Sequence, residues 1–356
     1  MLPSGFSTSW QEAEVRRTLP VTVAGPRRIL TGFPPPTVGA VYRRGGAFAV
    51  PYPATVLAVA AVILAGSAAG VLAARRRSNA TAIADSMLSI SLWAILPVVT
   101  FFNFARFEPS AEVGAGLAFA YLGLATALAI AWALARGPLR IEGHTRGAFM
   151  CAAFHANTGF LGLPFTAALL GRDALPEAIT YDQLVSTPWL LVVAFSIGAT
   201  HRHERHAGAR GLRAFLTRNP ALYALVAGLL APDALAPTWA VDASNVLVVA
   251  MAPLGFFALG VYATAGAGAR FPPALTRPVA AAVIVKLTVP VAVVAACAAV
   301  IHDVPDAFLV QAAMPTGLNS LLLVAAYSLD RAIISGAIVY STAIVVVWGL
   351  VAAAVG

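Results

Sequence analysis

Long apolar segments separated by short polar connections make up the chain from Ala54 almost to its end. Each segment is close to the ~20 residues that a helix needs to cross a ~30 Å hydrocarbon core. The pattern predicts an all-α membrane protein with ten transmembrane helices. Their approximate bounds are 54–74, 82–104, 113–135, 147–171, 177–199, 219–232, 241–265, 278–300, 306–328 and 332–354. The sixth segment is the shortest.

Two of these segments, the fourth and the ninth, carry polar and helix-breaking residues near their middle. The fourth contains FHANTGFLGLPF at 154–165, and the ninth contains AMPTGLNSLLL at 313–323. Proline removes a backbone donor and opens the helix, and opened backbone persists in a membrane only when it is buried in protein or lines a wet cavity. Paired breaks in the two halves of a chain are typical of a secondary-transporter binding site. A pair of ordinary proline kinks is the alternative.

A helix broken at mid-membrane presents free N–H groups at the start of its second half, and these can hold a carboxylate without a formal cation. Glycine lets backbone approach a ligand closely, and asparagine supplies both donors and acceptors. We therefore expect the crossing of the two broken helices to bind the substrate. The predicted substrate-binding residues are Asn157, Thr158, Gly159, Pro164, Pro315, Thr316, Gly317 and Asn319.

Further candidates are polar residues inside apolar segments. Lys286, the only lysine, is predicted to neutralise the negative half-helix ends, to pair with a substrate anion or to bind a proton; snorkelling to the interface is the alternative. His155 is either a pH switch, since an unperturbed histidine has a pKa of about 6.5, or a packing residue. Asn103 and Gln183 are candidates for the substrate pathway, although Asn103 could simply bond between helices. Asp182 and Gln183 are expected near the interface, where charged side chains reach water.

The two halves of the chain repeat one another. Pro97 in the second segment and Pro253 in the seventh are 156 residues apart, and Pro164 and Pro315 are 151 apart. Five helices per half is an odd number, so the second half enters the membrane from the opposite side, as in inverted-repeat transporters. The predicted organisation is a tail at 1–50, a first five-helix repeat at 51–200, a basic loop at 201–218 and a second repeat at 219–356.

Arginines divide the connections into two sets. One set of alternate connections holds fourteen arginines and the other holds two, and the arginine-rich set lies at 75–77, 136–146, 202–218, 270–277 and 331. The positive-inside rule places this set in the cytoplasm and both termini outside. Six arginines in the tail conflict with that orientation, and we expect the tail to be disordered or to result from a wrongly assigned start codon.

Composition narrows the function classes. The chain is 60% hydrophobic and 11% charged with a mean hydropathy of +0.83, whereas soluble domains carry about 25% charged residues. The net charge of +8 does not indicate nucleic-acid binding, because the arginines lie in short loops where they set topology. The loop HRHERH at 201–206 is too basic to favour a metal, and no catalytic motif is present. We therefore predict neither an enzyme nor a resident cofactor.

Several stretches together resemble the auxin efflux carrier family. They are NTGFLGLPF followed by Gly171-Arg172-Asp173, AAMPTGLNSLLLVAAYSLD, AILPVVTFF, APLGFFALG and VKLTVP, and the similarity spans nearly all of 54–354. The resemblance implies two inverted five-helix repeats, with the first two helices of each forming a scaffold and the last three a moving transport domain. It also implies a site where the fourth and ninth helices cross, here at Asn157, Pro164, Pro315 and Asn319.

The connection between the fifth and sixth segments is only about 19 residues, whereas plant members of that family have a long loop there. The chain therefore looks like a bacterial, malate- or malonate-permease-like member of the inner membrane, and the resemblance suggests a homodimer. The predicted function is alternating-access transport of a small organic anion, with coupling to a proton or sodium left open. The alternatives are a sodium-coupled symporter of the bile-acid type and a membrane sensor or scaffold that does not transport.

Overall fold

A computed structural model describes residues 52–107, 110–200, 217, 220–264 and 272–355. These residues form helices, with one isolated antiparallel bridge and no β-strand among them. The α-helices are α1 Tyr52–Arg76, α2 Ala80–Ile90, α3 Leu96–Phe104, α4 Ala111–Arg136, α5 Gly143–Phe154, α6 Leu163–Leu170, α7 Leu175–Tyr181, α8 Phe195–Thr200, α9 Pro220–Leu230, α10 Thr238–Thr264, α11 Arg277–Val300, α12 Asp306–Ala312, α13 Ser320–Tyr327 and α14 Arg331–Val355. Turns of π-helix lie at Ser91–Ile95, Thr158–Gly162, Asp182–Ser186 and Trp189–Ala194. The predicted tail at 1–50 and the basic loop at 201–218, including HRHERH, lie outside the described residues except for Thr217.

Seven described segments are long and apolar enough to cross a bilayer. They are Leu57–Arg76, Ala80–Phe104, Ala111–Arg136, Arg172–Gly198, Thr238–Thr264, Arg277–Val300 and Arg331–Val351. Helices satisfy their own backbone hydrogen bonds, which lipid cannot do for them. Leu57, Leu64 and Leu72 project outward from α1, and so many exposed large apolar side chains are unusual on a protein surrounded by water. The chain is an integral membrane protein of the all-α class.

The sequence predicts three further crossings that do not meet this length criterion. One is α9, which has only 11 residues. The other two are the segments with polar interruptions, each of which the structure splits into two shorter helices. Length and hydropathy alone therefore support seven crossings rather than ten.

Local chemistry explains several helix ends. The Ser110 side chain accepts a hydrogen bond from the Val113 amide at 3.2 Å and caps α4, and Thr276 caps α11 in the same way through Val279 at 3.5 Å. Gly171 ends α6 with φ of +89°, a conformation that residues with a Cβ rarely adopt.

Helices α1 and α10 pack at unusually close range. A Cβ at Gly70 would lie 2.1 Å from the Phe257 carbonyl oxygen, and one at Gly260 would lie 2.1 Å from the Ser67 carbonyl oxygen. Small residues spaced as in Gly66-Ser67-Ala68-Ala69-Gly70 allow such backbone contact between membrane helices. Near the middle of the protein, α5 packs against α4, α11 and α14, and α12 packs against α7 and α11.

Candidate functional site

The two interrupted helices meet at their interruptions. The first break is residues 155–157, between α5 and the π turn at Thr158–Gly162, and the second break is residues 313–319, between α12 and α13. The Asn157 amide donates to the Pro315 carbonyl at 2.7 Å, and the Gly317 amide donates to the His155 carbonyl at 2.9 Å. This short antiparallel pairing, which we call the crossing, satisfies backbone groups that helices cannot use at a break.

Thr316 secures the crossing to its surroundings. Its hydroxyl donates to the Ala152 carbonyl at 2.9 Å, in the last turn of α5. Its backbone amide donates to the Ser341 hydroxyl of α14 at 3.0 Å. Because both donors are used by the protein, Thr316 anchors the second break to α5 and α14 and offers no donor to a ligand.

Gly317 allows the two breaks to approach each other. A Cβ at this position would lie 2.7 Å from the Ala156 carbonyl oxygen and 2.4 Å from Cδ2 of the His155 ring. At Gly159, by contrast, a Cβ would meet nothing nearer than an Asp182 carboxylate oxygen at 3.5 Å. The two glycines therefore differ in role: Gly317 makes room for backbone, and Gly159 leaves space open beside a carboxylate.

A cavity of about 40 Å³ lies against the crossing. Five of the eight predicted substrate-binding residues line it, and His155 lines it too; the five are Asn157, Thr158, Gly159, Gly317 and Asn319. Leu96 of α3 and Met251 of α10 also line the cavity. The cavity is thus bounded by both breaks and by two helices outside them.

Three predicted binding residues do not line the cavity. They are Pro164, Pro315 and Thr316, all of which are buried. Pro164 lies in the first turn of α6, six residues after the π turn begins at Thr158. Pro315 contributes its carbonyl to the crossing. These prolines shape the backbone around the cavity and do not face into it.

An acidic group that the sequence analysis placed elsewhere lies at the cavity. The expectation that Asp182 reaches water near a span end is wrong, because its side chain is only 6% exposed. The segment begins at Arg172, so Asp182 lies ten residues, or about 15 Å, along it. A charged residue this deep in an apolar segment is a signal for function. The sequence pattern places the start of the segment at residue 177 and not at Arg172, which predicts that Asp182 lies close to the membrane surface.

Asp182 belongs to a small hydrogen-bonded cluster. The Thr158 hydroxyl donates to one carboxylate oxygen, and Nε2 of Gln183 donates to the other at 2.7 Å. Gln183 is 1% exposed and does not line the cavity, so its place is behind the carboxylate. Ser186, one turn further along, does line the cavity with its hydroxyl unpartnered.

Several polar atoms around the cavity have no protein partner in the described part of the chain. They are both ring nitrogens of His155, Nδ2 of Asn157, Oδ1 of Asn319 and the Ser186 hydroxyl. Buried polar groups are almost always paired, so these atoms mark where a ligand or water would bind. The set includes donors and acceptors, which suits a polar or ionised small molecule.

The Lys286 side chain extends from α11 to the end of α12, directly before the second break. It is completely buried, and its Nζ donates to the carbonyl of Ala312, the last residue of α12, at 3.1 Å. A cation at a helix C-terminus opposes the partial negative charge there. Its position therefore excludes snorkelling to the membrane interface. Lys286 does not line the cavity.

Asn103 also lies away from the cavity lining. Its Nδ2 donates to Oδ1 of Asn245 on α10 at 2.9 Å and to the Val99 carbonyl at 2.9 Å. This is the interhelical bonding that the sequence left as its alternative role.

Comparison with models of known protein families finds no match for this chain, and comparison with curated proteins finds none either.

Proposed function

We propose that the chain is a secondary transporter, which carries a small organic anion across the membrane by alternating access. The observation that carries the proposal is the crossing: two interrupted helices exchange backbone hydrogen bonds beside a polar cavity. Interrupted backbone inside a membrane is costly unless it serves a buried or wet site, and paired interruptions are characteristic of transporter substrate sites.

The cavity offers features that suit an anion. Two chain segments begin helical turns beside it, at Thr158 and at Ser320. Backbone N–H groups at such starts attract negative charge, and Asn157 adds an unpartnered amide donor. A cavity of about 40 Å³ has room for a few water-sized groups, so a compact carboxylate fits better than a bulky one.

Contacts between helices support the proposed arrangement of ten transmembrane segments in two inverted repeats. If the two split segments and α9 each cross once, they bring the seven long helices to ten. Exchanging the two halves then maps one helix pair onto another: α1 with α10 corresponds to α9 with α3, and α4 with α5 corresponds to α11 with α12. Each of these pairs is in contact. Helices α4 and α11, which also contact each other, are exchanged with one another.

The same contacts suggest which parts move. Helices α1, α2, α3, α9 and α10 pack mainly with one another, and the remaining helices pack around the crossing. The cavity lies between these two groups, with Leu96 and Met251 from the first and the breaks from the second. Movement of the second group past the first would expose the cavity to one side of the membrane and then to the other. From the sequence motifs and the distribution of arginines, we also propose that the chain belongs to the auxin efflux carrier family. It would then lie in a bacterial inner membrane with both termini outside.

The test is counterflow in proteoliposomes that contain the full chain. Vesicles loaded with unlabelled malate or malonate should accumulate the labelled compound from outside, whereas protein-free vesicles should not. Asn157→Ala should reduce this accumulation because it removes an amide from the cavity. Asn245→Ala is the matched control, since it removes an amide that does not line the cavity.

Absence of counterflow across a panel of carboxylates, in protein that is folded and monodisperse, would contradict the proposal. Carboxylate binding without flux would favour the sensor alternative. Accumulation that requires sodium would favour the bile-acid-type symporter.

A further inference from the structure

We propose that Asp182 is the proton-binding site that couples transport to the proton gradient, so that each organic anion enters the cavity together with one proton on the Asp182 carboxylate. This proposal rests on the proposed function and adds the coupling ion and the residue that carries it. The residue pattern alone is compatible with either proton or sodium coupling.

The Asp182 carboxylate lies where a bound carboxylate would be placed. Asp182 lines the same cavity as Asn157, Thr158 and Asn319. The place that a Cβ on Gly159 would occupy is only 3.5 Å from Oδ1 of Asp182. A carboxylate substrate held at the start of the π turn at Thr158–Gly162 would therefore be close to the Asp182 carboxylate. Two negative charges at such range in a buried site oppose each other, so one of the carboxylates must take a proton.

In the described part of the chain, no ion pair within 4.0 Å joins Asp182 to a basic side chain. The pair between Arg106 and Asp233 does not involve it. Lys286 is committed to the Ala312 carbonyl. A buried carboxylate without a cationic partner carries a large desolvation cost, which protonation removes.

The neighbours of Asp182 can form hydrogen bonds with both its ionised and its protonated form. When it is ionised, the Thr158 hydroxyl and Nε2 of Gln183 donate to its two oxygens. When it is protonated, the new O–H needs an acceptor. Oε1 of Gln183 is buried and unpartnered, and a rotation of the Gln183 amide would turn it towards the acid. The Thr158 hydroxyl oxygen offers a second acceptor.

Other titratable groups near Asp182 could also cause a pH dependence, so the experiment must distinguish their effect from that of Asp182. The π turn that holds Asp182 packs against α4, α7 and the turns at 158–162 and 189–194. The titratable side chains on these elements are Glu112, Tyr121 and Arg136 on α4 and Glu177 and Tyr181 on α7. The Tyr121 hydroxyl donates to the Leu184 carbonyl at 2.7 Å. His155 lines the same cavity.

The proposed cycle balances one proton with one anion. A proton from water on the open side binds a carboxylate oxygen of Asp182, and the anion binds to the helix starts beside it. After the cavity turns to the other side, the anion leaves and the proton returns to water there. Ionised Asp182 then opposes rebinding of the anion.

The experiment measures anion binding and proton uptake by the full chain in detergent. The probe is the monocarboxylate that shows the strongest counterflow, used between about pH 5.5 and 8.5, above the ionisation range of an ordinary carboxyl. Isothermal titration calorimetry in two buffers of different ionisation enthalpy counts the protons taken up. We expect wild-type affinity to fall by up to tenfold per pH unit as Asp182 ionises, with uptake approaching one proton per anion, as linkage requires.

Three variants assign the proton. Asp182→Asn, which keeps the shape and stays neutral, should bind the anion with the affinity of the wild type at low pH and without pH dependence or proton uptake. Asp173→Asn, which removes an exposed acid from the start of the same segment, should keep the wild-type pH dependence. His155→Gln should keep it as well, and loss of the pH dependence in that variant alone would overturn the proposal.

Each remaining outcome is informative. Wild-type anion binding that is independent of pH and takes up no proton would overturn the coupling proposal and leave the proposed function standing. Absence of any carboxylate transport would instead overturn the proposed function. Anion affinity that falls when choline replaces sodium in the buffer, and that no longer falls in Asp182→Asn, would show that Asp182 binds a metal cation and not a proton.

Discussion

Gly317 is the position at which a single methyl group should separate the two breaks. In Gly317→Ala, the added Cβ would lie 2.7 Å from the Ala156 carbonyl oxygen and within 2.5 Å of the His155 ring. The His155 side chain could rotate away, but the carbonyl belongs to the backbone of the first break. The two segments must therefore move apart, which lengthens the hydrogen bonds at 2.7 Å and 2.9 Å that join them.

The cost follows from those two bonds. A lost hydrogen bond that leaves one of its two buried backbone groups unsatisfied costs about 1–3 kcal/mol, so loss of both bonds costs about 2–6 kcal/mol. With about 2 °C of Tm per kcal/mol for a chain of this size, Tm should fall by about 4–12 °C. Counterflow should fall with it, because the helix starts that face the cavity are positioned by the same pairing.

The assay is thermal unfolding of the purified chain in detergent, followed by counterflow in proteoliposomes. Gly159→Ala is the matched control, since its Cβ would make only an ordinary contact at 3.5 Å, and its Tm should stay near that of the wild type. If Gly317→Ala unfolds at the wild-type temperature and transports normally, the crossing does not hold the site together and the reasoning fails.

Two further predictions concern other contacts. Lys286→Met removes the donor to the Ala312 carbonyl while keeping an unbranched side chain; we expect uptake to be lost while expression and monodispersity remain, and normal uptake would remove Lys286 from the mechanism. Gly70→Ala places a Cβ 2.1 Å from the Phe257 carbonyl oxygen, and we expect this overpacking to cost about 1–3 kcal/mol of stability. Gly114→Ala is the control, because nothing lies within 4 Å of a Cβ there, and its Tm should be unchanged or slightly raised. Equal Tm values for the two variants would disprove the close packing of α1 and α10.

Hydropathy and the positions of helix breakers predicted the class of the protein and the location of both breaks. The combination of Asn157, Gly159 and Pro164, matched by Pro315, Gly317 and Asn319, is strong because lipid excludes unpaired backbone. The breaks in the structure fall within these motifs. The position of Lys286 within an apolar segment likewise pointed to a buried charge with a partner.

Side-chain partners could not be predicted in the same way. Nothing in the spacing of Thr316 indicates that its donors would serve Ala152 and Ser341, because those contacts depend on how distant helices pack. The burial of Asp182 was missed because a span boundary read from hydropathy is uncertain by several residues, and a few residues decide between interface and interior. The π turns at Asp182–Ser186 and Trp189–Ala194 leave no composition signal that would have shifted that boundary.

The pairing of residues 155–157 with residues 315–317 has a consequence for the order of synthesis. When the ribosome has made the first break, the chain that will accept the Asn157 amide and donate to the His155 carbonyl is still about 160 residues away. At about 5–20 residues per second, that interval lasts roughly 8–32 seconds. Throughout it, two backbone groups of the newborn amino-terminal half, the Asn157 N–H and the His155 carbonyl, lack their partners, and water or another protein must shelter them until the second break has been made.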